Sequence, residues 1–155
     1  MRIDTVVAQS INDTRGRPTV EVTLSANTFS ATASVPSGKS TGSHEAVELG
    51  AARAIENVNG EIATALAGHD FTSADELDNF LIELDGTVNK SRLGTNAILA
   101  VSIAATRLFA LSEGVPLWKA IAERAGTTPS APHLFVNMMN GGAHADFKLP
   151  FQEYL

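Results

Sequence analysis

Twenty residues, "GTNAILAVSIAATRLFALSE" at 94–113, constrain the fold of this chain more than any other stretch. They are apolar almost all the way round and rich in alanine, so a helix here has no polar face to turn toward water. Such a helix has to be central and buried. Gly114 ends it, and Pro116 opens a shorter helix to Ala125. The elements around it can be read upstream. Residues 3–11, "IDTVVAQSI", and 18–24, "PTVEVTL", are rich in β-branched side chains and partly alternate, which predicts strands. "NDTRGR" between them supplies turn chemistry. A third strand runs from Phe29 to Val35 and stops at Pro36. Links this short cannot make a parallel crossover, so the opening is a three-stranded antiparallel meander.

Beyond Gly42 the spacing becomes helical. Glu45–Asn57 and Glu61–Ala67 read as two helices separated near Asn59–Gly60, and Ser73 with Glu76 forms a capping box that starts a helix to Leu84. Strands followed by helices give an α+β class. "GTTPSAP" at 126–132 is the linker-like stretch. After it, "HLFVNMM", the pair Gly141–Gly142 and "FKLPFQEYL" predict a β-hairpin. The domain division is therefore 1–126, a folded unit, and 127–155, a linker with a hairpin.

Composition removes several classes of function. Apolar residues make up 44% and charged residues 18%, which is incompatible with a disordered chain. A net charge of -6 and scattered basic residues argue against nucleic acid as a partner. No apolar stretch reaches the roughly 20 residues of a membrane span, and the N-terminus has no signal-peptide centre. The chain has no cysteine, so disulfides and thiolate chemistry are excluded. The expectation is a cytoplasmic protein with neither membrane nor nucleic acid as partner.

"VPSGKSTG" at 35–42 looks like the end of a phosphate-cradling P-loop. The first glycine of that motif would fall at Ala33, where a Cβ obstructs the curl round a phosphate. Gly42 also disfavours a helix starting at Lys39–Ser40, and a meander is the wrong sheet. "FLIELD" at 80–85 imitates a magnesium-holding strand but suits an amphipathic helix equally. Two readings of the loop stay open. Its hydroxyls and carbonyls are hard oxygen ligands of the kind Mg²⁺ takes, or it is a plain Ser/Gly connection.

Five stretches then carry a resemblance: "DTRGRPTVEV" (13–22), "VPSGKSTGSHEAVEL" (35–49), "ELDGTVNKSRLGTNAILAVSIA" (83–104), "VPLWKAIA" (115–122) and "NMMNGGAHADFKLPFQEYL" (137–155). In register and over nearly the whole chain, they resemble enolase, the phosphopyruvate hydratase of glycolysis. The resemblance covers about the first third of an enolase: its N-terminal α+β capping domain and the opening hairpin of its barrel. It implies dehydration of 2-phosphoglycerate to phosphoenolpyruvate with magnesium, in the cytoplasm. By position, Ser40 would ligate the second, substrate-bound Mg²⁺, inside a lid loop that includes Ser37, Gly38, Lys39, Thr41 and Gly42. His144 and Gln152 would bind substrate, and Glu153 would join the acid/base network that helps the hydroxyl leave. Arg15 and Glu21 would face a neighbouring subunit. His44 sits in the family's motif without an argued role, and His69 and His133 read as surface residues. Asp85–Gly86–Thr87 and Asn89–Lys90 read as capping and turn structure.

The departures are equally specific. Lys39 stands where the family usually has alanine, Arg17 replaces asparagine, Gly50–Ala51 replaces Arg-Asp, and Ala143, Asp146 and Phe147 alter the surroundings of His144. The family's lysine base and its partner, its three metal carboxylates and its substrate arginine match no position among these 155 residues. The expectation is a chain with no turnover by itself: the N-terminal part of an enolase completed by a barrel chain, or a non-catalytic module that pairs with copies of itself.

Overall fold

The computed structural model describes residues 1–38 and 42–155. Strands β1 (Thr5–Asn12), β2 (Pro18–Ala26) and β3 (Phe29–Val35) form the antiparallel meander in the order β1-β2-β3. The register pairs Ala8 with Val22 and Leu24 with Ala31, so Val6, Ala8, Val20, Val22, Leu24, Ala31 and Ala33 share a buried face. The opposite face is polar and self-bonded. Gln9 donates to Glu21 across β1 and β2, and Thr23 meets Thr32 across β2 and β3.

Helices α1 (Ala51–Asn57), α2 (Ala63–Leu66), α3 (Ala74–Asp85), α4 (Thr95–Ser112) and α5 (Leu117–Arg124) follow. α4 lies across β2 and β3, as its composition predicts. Ala97, Ala100, Ala104 and Ala105 are buried, and these short side chains let the helix approach the alanines of β3. By length and hydropathy α4 could also cross a membrane, but 56% of it is buried inside this domain. α3 begins at Ser73, whose hydroxyl accepts from the Glu76 amide at 3.2 Å. Glu76 returns its carboxylate to the amide and hydroxyl of Thr72, one residue earlier than a reciprocal capping box requires. Arg124 ties α5 to α3 through Asp75 and Asp78.

Three expectations need correction. The helix expected from Glu45 starts only at Ala51, because residues 47–49 are held extended by the N-terminus of α4. Val47 donates to the Asn89 carbonyl and accepts from Thr95, each at 2.8 Å, while buried Asn96 bonds both the amide and the carbonyl of Leu49. Asn59–Gly60 is not a break between helices. A π-turn, Val58–Ile62, joins α1 to α2 there. It presents the Asn59 amide group to β1, donating to the Ala8 carbonyl at 2.9 Å and accepting from its amide at 2.7 Å. The side chain thus satisfies the outward amide and carbonyl of Ala8 on the edge strand β1.

The third correction concerns the tail. β4 (Met139–Asn140) and β5 (Glu153–Tyr154) pair antiparallel, but over two residues each, and no strand forms in 133–138. Residues 141–152 between them hold a 3-10 turn, Gly142–Ala145, rather than a tight glycine turn. All residues from 123 to 140 are exposed. Asp146 and Phe147 both take left-handed backbone (φ 51° and 58°), which for non-glycine residues costs about 1–2 kcal/mol each.

Candidate functional site

Ser40, Lys39 and Thr41, the proposed metal ligand and two lid residues, lie outside the described residues; the flanks of the loop are described. β3 ends at Val35, and the next residues are gripped by the β1–β2 turn. Arg15 Nη2 donates to the Ser37 carbonyl at 2.6 Å, while its Nε reaches Asp13 Oδ2 at 3.1 Å. Asp13 Oδ1 accepts from the amides of Arg15 and Arg17, which closes the turn. The Arg17 amide foremost, and the amide and guanidinium of Arg15, hold the Asp13 carboxyl below its ordinary range against the opposing effect of burial. The Ser37 hydroxyl donates to Glu48. On the far side of the loop, the Gly42 amide donates to Glu45 Oε1 at 2.9 Å. Both flanks are therefore tied by side chains from outside the loop. A cleft of about 430 Å³ lies between the β1–β2 turn and the end of β3, lined by Asn12, Asp13, Arg15, Thr19 and Ser37 among others.

Arg15 and Glu21 are the two residues expected to face a neighbouring subunit. Here they are separate: Arg15 grips the loop, and Glu21 sits on the polar sheet face with Gln9. Asp13, Glu45 and Glu48 are the residues that sequence reasoning missed. Their signal was present, since each is an acid in the two quoted stretches that flank the loop.

The second group of site residues forms a unit of its own. The Gly141 amide donates to the Gln152 carbonyl at 3.0 Å, and Gly142 donates to Leu149 at 2.9 Å. A Cβ at Gly141 would lie 2.0 Å from the Phe151 carbonyl oxygen, so only glycine permits this approach. His144, in the 3-10 turn, Gln152 and Glu153 are thereby gathered within one small motif. Gln152 and Glu153 are exposed and His144 is half-buried.

Among the described residues, no group of three or more His, Asp or Glu side chains could hold a metal ion. The P-loop alternative gains no support from geometry, because among the described residues after the loop no helix begins before Ala51. Asp85, a buried carboxylate at the end of α3, accepts from Thr87 and Leu93 and so caps the loop that follows.

The family model described as "Enolase, N-terminal domain" matches residues 3–121. That range takes in the meander, the Asn59 clip, the loop with its tethers and the central helix. It stops short of His144, Gln152 and Glu153. This chain belongs to the enolase family through its N-terminal domain.

Proposed function

We propose that the chain supplies the N-terminal part of an enolase active site for the dehydration of 2-phosphoglycerate to phosphoenolpyruvate. The family match over 3–121 carries this reading. Enolases use magnesium, and Ser40 would give the second, substrate-bound ion a hydroxyl and a carbonyl. Those are a small part of an octahedral shell, so affinity through this chain alone is weak. His144 and Gln152 would contact substrate, and Glu153 would assist departure of the hydroxyl. General acid help of that kind is worth about 10²–10⁴-fold. Removing a proton from the carbon beside a carboxylate also needs a base and a metal-stabilised enolate. No motif in these 155 residues supplies that base, so turnover needs residues beyond these. Enolases are cytoplasmic, and we place the chain there. We also keep the division at 126/127, since all residues from 123 to 140 are exposed.

The test is complementation with a barrel chain from a full-length enolase, followed by variants. Ser40→Ala and Glu153→Gln should each lower magnesium-dependent turnover of the mixture, Glu153→Gln by about 10²-fold or more. Unchanged turnover in both would remove the assigned roles. A second reading, a non-catalytic pairing module, is favoured by one observation: Leu134, Phe135 and Met138 are at least three-quarters exposed.

A further inference from the structure

In an Asn-Gly pair the amide nitrogen that follows the asparagine has no Cβ beside it, so it can close on the asparagine's own side-chain carbon. The pair occurs twice here, at Asn59–Gly60 and Asn140–Gly141. The fold treats the two in opposite ways. Asn59 lies inside the continuous helical run from Ala51 to Leu66. Both ends of its amide are engaged, since Nδ2 donates to the Ala8 carbonyl at 2.9 Å and Oδ1 accepts from the Ala8 amide at 2.7 Å. Its neighbours Val58 and Ile62 are fully buried in the core. The Gly60 nitrogen therefore reaches Asn59 Cγ only when the domain itself opens.

Asn140 is exposed on β4. Its Oδ1 accepts from Asn137 Nδ2 at 2.8 Å. That donor draws electrons from Cγ and steadies the oxyanion that forms when Cγ is attacked. The Gly141 nitrogen is held by the Gln152 carbonyl at 3.0 Å, but β4 and β5 pair over only two residues each. A ladder this short is marginal in water and opens locally, without the domain.

We propose that Asn140 deamidates spontaneously in the folded chain, and that the product keeps β4 and β5 apart. With the ladder open, the Gly141 nitrogen gives its proton to hydroxide and bonds to Asn140 Cγ. The bond from Cγ to Nδ2 breaks, and the nitrogen takes a proton from water and leaves as ammonia. Water then opens the succinimide at either carbonyl, with no change of oxidation state. One opening leaves an aspartate opposite Glu153 in the β4–β5 register, where like charges destabilise the pair. The other leaves an isoaspartate, whose extra main-chain carbon displaces Gly141 from its close approach to Phe151. Either product loosens the unit that gathers His144, Gln152 and Glu153. The inference does not depend on the enolase reading.

The full chain is aged at mildly alkaline pH, and each sample is mapped by proteolysis and mass spectrometry. Conversion of amide to acid at Asn140 should outpace that at Asn59 about ten-fold or more, and in urea the two rates should converge. An isoaspartate methyltransferase should label the peptide that spans 140–141. Asn140→Gln, whose longer side chain does not close the five-membered ring, should abolish conversion at this position. Fresh Asn140→Asp should scatter the amide resonances of 139–154 as the aged wild type does, while circular dichroism shows the domain still folded. Asn140 intact over the time in which the urea-unfolded chain converts overturns the proposal, as does equal conversion at Asn59 in the folded chain. So do unmoved resonances of 139–154 in both the aged chain and Asn140→Asp.

Discussion

Asp85 receives three hydrogen bonds inside the domain: from the Leu93 amide at 2.8 Å, the Thr87 amide at 3.0 Å and the Thr87 hydroxyl. Burial works to raise its pKa, but these donors and the Arg92 charge outweigh it and hold the carboxyl below the ordinary 3.8. A folded-state pKa below the unfolded one contributes stability that is complete above about pH 4 and lost as pH falls through the lower value. Asp85→Asn should therefore cost about 1–3 kcal/mol at neutral pH. Its loss of stability from about pH 5 down to about pH 3 should be shallower than that of the wild type. Urea unfolding at both pH values checks this, and parallel curves would assign the acid sensitivity to Asp13, Glu61 and Glu76, whose carboxyls are also held low. Arg15 works differently, because its guanidinium is partly exposed and its partners are the Ser37 carbonyl and the Asp13 carboxylate of its own turn. Arg15→Ala should change global stability by less than about 1 kcal/mol. It should nevertheless shift the amide resonances of Ser37 and Gly38. A several-degree fall in Tm with those resonances unmoved would make Arg15 a fold residue and not a loop tether.

Elements with a strong period or a strong composition were legible in the sequence. α4 forms at 95–112 against an expected 94–113, because nothing but burial suits its alanines and leucines. The meander follows from β-branched runs joined by links too short for anything else. Two of the misses share a cause: a side chain far away in sequence replaces a local bond. Asn96 holds Leu49 extended from 47 residues away, and Asn59 pairs with Ala8 on the edge of β1 from 51 residues away. Neither amide has a sequence signature, since Asn is equally at home in a turn. The candidate site was legible only through the resemblance, and its tethers emerge only from the fold. Gly141 is the sharpest element-scale test. Gly141→Ala should scatter the amide resonances of 139–154, because its Cβ has no room beside Phe151, and leave the melting of the domain unchanged. A common loss of both would show that the tail and the domain fold as one unit.

Taken as a whole, the molecule joins a well-buried domain to an exposed tail. Its proposed site residues are divided between the two: the loop tethered by Arg15, Glu48 and Glu45 on one side, and His144, Gln152 and Glu153 on the other. A shared reaction requires a body that brings them to one substrate. The direct measurement is phosphoenolpyruvate formation from 2-phosphoglycerate, followed by absorbance with magnesium present, on the purified chain and then on the chain mixed with an enolase barrel chain. No turnover by the chain and magnesium-dependent turnover by the mixture is the predicted result. Robust magnesium-dependent turnover by the chain alone, persisting through further purification, would contradict it.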